Sequence, residues 1–280
     1  MKKNQIVGLG VVAALLVLYL GAQIFASKKA EEKAEEIRQE MKPFVELDYE
    51  DADFGLLSQD ITVSEITLAP AGSGEKVQID ELVIHDFDDE SKFPSFLSLE
   101  INGLEVRVED MDAEAAETFR AMGYEDKLMV NFKLDYTFDQ KKKILDIEKI
   151  AIEGDDIGEL TASFQLEIID LYTSQVNLHE AELEYEDDSL VDRLIKAYAK
   201  ERGMTFKNAK FRMEKQFDEE IAREKDEFTK KAMIELKEFI LDPDEIKITA
   251  SPEKPQPLAR VMNIENMSDY AKLFNLKIKR

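Results

Sequence analysis

The sequence predicts an α+β protein with an N-terminal transmembrane helix, an antiparallel β-meander body of bulged strands, and amphipathic C-terminal helices. Three observations lead to this prediction. Residues 6–26 form an apolar run of 21 residues whose one strongly polar member is Gln23. Hydrophobic residues then recur with period two, and after residue 186 with helical spacing. We expect the domains to be an anchor at 1–26, a stalk at 27–43, a β domain at 44–186 and a helical segment with a short C-terminal strand at 187–280.

The apolar run is long enough to cross a hydrocarbon core as one helix. A short tail with Lys2 and Lys3 precedes it, which is typical of a signal peptide or a signal anchor. Bulky Ile24 and Phe25 precede Ala26, so we expect no cleavage. Lysines flank both ends and leave the orientation open, but the absence of cysteine and the short tail favour an exported body over a cytoplasmic one. The stalk consists of strong helix formers and is closed by Pro43.

The β domain contains an internal repeat of eight residues in which the first, third, sixth and eighth are apolar. A regular strand would turn the two pairs to opposite faces, so one extra residue must be absorbed by a β-bulge or by a two-residue hairpin turn. We favour bulges at four sites, while Asn102-Gly103 is compatible with either solution because Asn-Gly suits a tight turn. The five copies are ITVSEITL at 61–68, VQIDELVI at 77–84, LEINGLEV at 99–106, LDIEKIAI at 145–152 and VNLHEAEL at 176–183.

Two further strands, near 128–138 and 160–168, alternate without slip and complete an antiparallel meander over 127–186. A short helix near 113–122 separates this meander from the earlier strands, with Asp112 as N-cap and Gly123 as its stop. After the meander, Ser189 opens a helix with a capping-box-like start, and Gly203 ends it.

A longer, narrowly amphipathic helix is expected from Thr205 to Leu241, followed by a short strand at Ile246 and Ile248 and a small helix at 267–274. A four-strand face is about 19 Å wide and one helix covers about 10 to 12 Å. The helices therefore either leave an apolar groove or, packed side by side, seal the sheet. The residues that we expect to line such a groove are Phe132, Tyr136, Phe164 and Leu166.

Acidic residues dominate the chain, whose formal net charge is −24. Residues 44–189 hold 39 acidic and 10 basic residues, which argues against nucleic acid as a partner. Two histidines and no cysteine exclude the usual zinc sites and a cysteine nucleophile, and no hydrolase or nucleotide motif is present. Acidic clusters at 86–90, 109–112, 155–156 and 186–188 lack the EF-hand pattern and are interpreted as solvated turns. We expect no catalytic, metal-binding or cofactor-binding residues and no enzymatic activity.

The order of anchor, stalk and repeated strands, with LDYEDADFGLLSQDITVSEITL at 47–68 and LDPDEIKITASPEKPQPL at 241–258, resembles exported, membrane-anchored bacterial proteins of the YdgA-like and AsmA-like kind. The resemblance implies a single-pass protein of the bacterial inner membrane with its body in the periplasm. It also implies antiparallel strands that curl into a groove associated with lipid handling in the cell envelope. We expect a non-enzymatic scaffold or assembly factor, or alternatively a binder or carrier of lipid or another apolar ligand. Its expected partners are the membrane, through residues 6–26, and envelope proteins or lipid.

Overall fold

The computed structural model describes residues 45–55, 60–70, 76–88, 94–170, 175–263 and 267–280. The strands are β1 (Val45–Asp48), β2 (Asp51–Phe54), β3 (Ile61–Pro70), β4 (Val77–Phe87), β5 (Phe96–Arg107), β6 (Lys127–Asp139), β7 (Ile144–Gly154), β8 (Gly158–Asp170), β9 (Gln175–Asp187), β10 (Glu245–Ala250), β11 (Gln256–Pro257) and β12 (Leu276–Lys279). The α-helices are α1 (Ala113–Ala121), α2 (Leu190–Glu201), α3 (Phe206–Arg223), α4 (Glu227–Leu241) and α5 (Met267–Phe274). Two 3₁₀ helices span Val108–Asp110 and Leu258–Asn263.

The predicted fold class is wrong. The described chain is mostly antiparallel β-sheet with a few helices. The segment after residue 186, where we expected helices and one short strand, contributes three strands, β10, β11 and β12. None of the described helices is long and apolar enough to span a membrane. The anchor at 6–26 and the stalk at 27–43 lie outside the described residues. The structure therefore does not support the N-terminal transmembrane helix that the fold class included.

The chain divides into two compact units. The first consists of Met1–Arg120 and Tyr124–Phe138, and the second of Ala121–Gly123 and Asp139–Arg280. The change of period at residue 186 coincides with the transition from β9 to α2, which lies in the second unit. The predicted division into domains stays a prediction.

In the first unit the strands follow the order β1-β3-β4-β5-β6, and β2 pairs with β3 beside β1. Both short strands keep one register with β3, from Val45 opposite Pro70 to Phe54 opposite Ile61, so they act as one edge strand with a break at Tyr49 and Glu50. A cluster of buried aliphatic and aromatic residues from these strands forms the core.

The bulge interpretation is confirmed for β3. Ile61, Val63, Ile66 and Leu68 are all no more than 5% exposed, so the four apolar residues share the buried face. The extra residue is Glu65, which adopts a left-handed backbone conformation with φ 52°. A plain strand would have left two of the four apolar residues facing solvent.

The irregularities of β3, β4 and β5 lie side by side. Glu65 of β3 lies level with Asp80 of β4, and Asp80 lies level with Gly103 of β5. The register between these strands is therefore not shifted at the bulges. Against β6, which has no extra residue, the register shifts between Ile101 and Leu104. Asn102-Gly103 is therefore a bulge and not a hairpin turn. A side chain at Gly103 would clash with the side chain of Asp80, and φ at this position is +66°, so the bulge strongly favours glycine.

The second unit pairs its strands in the order β7-β8-β9-β10-β12, and β11 also pairs with β9. Register shifts at Glu148 and Lys149 in β7, and at His179 in β9, confirm the bulges predicted for these copies of the repeat. Val191, Ile195 and Ala199 of α2 pack with Ala209 of α3 and Phe239 of α4. Phe274 of α5 packs separately with Leu178 of β9 and Ala250 of β10.

The structure confirms some predicted helix boundaries and corrects others. Asp112 caps α1 by accepting hydrogen bonds from the backbone N–H groups of Glu114 and Ala115. The single helix expected from Thr205 to Leu241 is wrong, because α3 ends at Arg223 and α4 begins at Glu227. Asp226 is the N-cap of α4, because its side chain accepts a 2.8 Å hydrogen bond from the backbone N–H of Thr229.

Candidate binding surfaces

The structure distributes the four predicted groove residues between the two units. Phe132 and Tyr136 lie on β6 and pack, partly buried, against the core of the first unit. Phe164 and Leu166 lie on β8 of the second unit, and both are half-buried. Burial, with a smaller contribution from the charge of Asp88, raises the pKa of the Tyr136 hydroxyl. The groove itself stays a prediction.

Three exposed aliphatic residues lie close together on the apolar face of the second unit: Ile152 of β7, Leu160 of β8 and Leu183 of β9, which we call the apolar patch. Their exposed fractions are 43%, 36% and 38%. Ile152 is directly opposite Leu160, and Leu183 is opposite Ala162, one step along the same face. Large apolar residues that are neighbours in the fold, as opposed to scattered ones, are typical of contact surfaces.

Helices cover other parts of the same sheet face. Tyr185 of β9 and Ile246 of β10 pack against the cluster formed by α2, α3 and α4. Leu166 and Leu178 pack beside Phe274 of α5. The exposure of the apolar patch thus follows from where the helices lie, and the repeat pattern alone does not indicate it.

A charged network crosses the polar face of the first unit. Nδ1 of His85 is 3.1 Å from Oδ1 of Asp60, and Nε2 of His85 is 3.5 Å from Oε1 of Glu100. Lys133 donates a 2.9 Å hydrogen bond to Glu100. This bond is the main cause of the lowered pKa of Glu100 and of the raised pKa of Lys133. The group joins three neighbouring strands and includes a histidine between two carboxylates.

The predicted acidic clusters serve turns and helix starts. Asp88 accepts hydrogen bonds from the backbone N–H and the hydroxyl of Ser95. Asp156 forms a 2.6 Å ion pair with Arg193. Asp187 accepts a 3.0 Å bond from the backbone N–H of Val191, so it caps α2 in place of the Ser189 side chain. These contacts agree with the interpretation of the clusters as turns.

One cluster of three glutamates was not predicted from the sequence. Glu184, Glu186 and Glu245 offer oxygens within 4.8 Å of one another on β9 and β10. Lys247 lies beside them. Its Nζ donates a 2.9 Å hydrogen bond to Glu184 and forms a 2.6 Å ion pair with Glu182. The bonds to Glu182 and then Glu184 raise the pKa of Lys247. The glutamates at every second position of β9 were the available signal, but only the pairing of β9 with β10 brings Glu245 to them.

The two edge strands carry opposite charges. β12 pairs with β10 on one side, and no described strand pairs with its other side; its exposed side chains are Lys277 and Lys279, which we call the basic edge. At the edge of the first unit, β1 and β2 pair with β3 alone among the described strands. The two strands and the break between them hold five acidic residues, which we call the acidic edge: Glu46, Asp48, Glu50, Asp51 and Asp53.

Residues 151–280 match a family model described as "Uncharacterized protein". This stretch lies within the second unit and includes the basic edge. No curated protein matches the chain. The family description names no activity, so the function must be argued from the surfaces described above.

Proposed function

We propose that the protein is a non-enzymatic scaffold that holds extended segments of partner proteins along β12. The observation that carries this proposal is the basic edge. A strand that ends a sheet presents a row of backbone N–H and C=O groups to which another extended chain can add. Lysines on such a strand disfavour pairing with apolar or basic strands, and they favour acidic ones.

The apolar side of β12 supports the same function. Leu276 and Ile278 alternate with the two lysines and are half-buried. A partner strand with acidic residues on one face and aliphatic residues on the other would therefore match both faces. Backbone hydrogen bonds would supply affinity, and the alternating side chains would supply specificity.

The proposal is tested with two ten-residue peptides, one alternating valine with aspartate and the other alternating valine with lysine. We expect the full-length chain to bind the acidic peptide more tightly. In the double variant Lys277→Glu, Lys279→Glu the affinity for the acidic peptide should fall about tenfold, since cross-strand charge pairs contribute roughly 0.2–1 kcal/mol each. Fluorescence anisotropy with labelled peptides measures both affinities.

The matched control changes the same charge elsewhere. Lys141 and Lys142 lie exposed in the turn between β6 and β7, so Lys141→Glu, Lys142→Glu should leave peptide binding unchanged. Equal weakening in both double variants would mean that net charge, and not the edge, governs binding. The scaffold proposal would then fail.

A second candidate function is the binding of an apolar ligand, and the apolar patch favours it. A fatty acyl chain is the simplest occupant, because Ile152, Leu160 and Leu183 are neighbouring, exposed aliphatic side chains. We expect Leu183→Glu to abolish binding of a fluorescent fatty acid. Leu194→Glu on α2 is the matched control, since Leu194 is 43% exposed and lies on a helix. Equal binding by both variants would exclude the patch as the ligand site.

A further inference from the structure

We propose that the extended segment held by β12 is the acidic edge of a second copy of the same chain, so that copies associate edge to edge. This inference rests on the proposed function and names its partner. The observation behind it is that the two strand edges left unpaired among the described residues are complementary in charge.

The complementarity extends to both faces of the strands. Asp51 and Asp53 of β2 are exposed at every second position, as are Lys277 and Lys279 of β12. Ala52 and Phe54 alternate with the aspartates and pack partly buried against the core of the first unit. Leu276 and Ile278 alternate with the lysines. A single pairing of β2 with β12 can therefore join opposite charges on one face and apolar side chains on the other.

Charge also excludes the symmetric alternatives. Pairing β12 with β12 would place lysines opposite lysines, and pairing β2 with β2 would place aspartates opposite aspartates, both of which are destabilising. Only the unlike edges attract. A contact between two different surfaces can repeat from copy to copy, in a closed ring or in an open chain.

The size of the contact sets the expected strength. β2 and β12 each contain four residues, so their pairing buries less than a standard protein interface. Association should therefore be weak, dependent on protein concentration, and reduced by salt, because exposed charges are screened over about 10 Å at 0.1 M ionic strength.

The test is sedimentation velocity on the full-length chain. For the unmodified protein we expect the weight-average mass to at least double between dilute and concentrated samples at low salt. The variant Lys277→Glu, Lys279→Glu and the variant Asp51→Lys, Asp53→Lys should each stay at monomer mass. An equimolar mixture of the two variants should recover the association, because each contributes the edge that the other can pair with. The control Lys141→Glu, Lys142→Glu should associate like the unmodified protein.

Failure of this inference can be told apart from failure of the proposed function. If the unmodified protein stays monomeric at every concentration but binds the acidic valine–aspartate peptide, β12 accepts extended partners and the second copy is not one of them. If the mixture of charge-reversed variants stays monomeric while the unmodified protein associates, another surface is responsible and the edge pairing is wrong. If neither association nor peptide binding occurs, both proposals fall.

Discussion

Replacing Gly158 with alanine should lower the free energy of unfolding by about 3 to 4 kcal/mol, a loss well above that of most single substitutions. Gly158 starts β8 with φ +113°, a backbone conformation that side chains other than that of glycine rarely adopt. A Cβ atom at this position would lie 2.0 Å from the backbone oxygen of Glu186. Since the obstacle is backbone, β9 would have to move away from β8 where Gly158 pairs with Asp187. Urea denaturation followed by circular dichroism measures the change.

Gly203→Ala is the matched control for this prediction. Gly203 also has a positive φ, +63°, but no heavy atom lies within 4 Å of the position its Cβ would take. This variant should lose only the conformational cost of alanine in a left-handed conformation, about 1 to 2 kcal/mol. Equal losses in the two variants would show that β9 does not approach Gly158 closely.

The repeat pattern predicted the bulged strands because it is a direct consequence of chain geometry. Four apolar residues with one extra residue between the pairs can share a face only if the strand is bulged, and the structure confirms this in both units. The same reasoning should have found one more copy. Leu47, Tyr49, Ala52 and Phe54 have the same spacing, and this segment forms the broken edge strand β1 and β2.

The errors arose where short or tertiary signals decide the structure. The break between α3 and α4 is marked by one residue, the N-cap Asp226, within a run of strong helix formers. Because the apolar spacing continues on both sides of the break, the periodicity predicted one helix. Strand β12 has only four residues, too few for an alternating pattern to stand out. β10 lies where a short strand was predicted, at Ile246 and Ile248, but its pairing with a further strand, β12, was not predicted.

The candidate surfaces were only partly predictable. The sequence placed Phe164 and Leu166 on one apolar strand face, as observed, but it could not show which part of that face the helices cover. Exposure of the apolar patch depends on the positions of the helices α2, α3, α4 and α5, which long-range packing determines. The basic and acidic edges likewise acquire meaning only from the strand order, since Lys277 and Asp51 are far apart in the sequence. The predictions of localisation, membrane attachment and lack of enzymatic activity stay predictions.

Replacing Ile84 with alanine should lower the free energy of unfolding by about 2 to 5 kcal/mol, and replacing it with valine by about 0.5 to 1.5 kcal/mol. Ile84 is fully buried, with 0% exposure, and lies between Ile61 of β3 and Leu99 of β5. Both neighbours are held by sheet hydrogen bonds, so the site cannot collapse around the smaller side chain and a cavity remains.

Ile152→Ala is the control, because Ile152 is also a strand isoleucine but is 43% exposed. It should lose clearly less than Ile84→Ala, since more than two fifths of its surface is already exposed to solvent. The same urea denaturation compares the three variants, and a loss in Ile84→Ala no larger than that in Ile152→Ala would show that β4 is not at the centre of the core of the first unit.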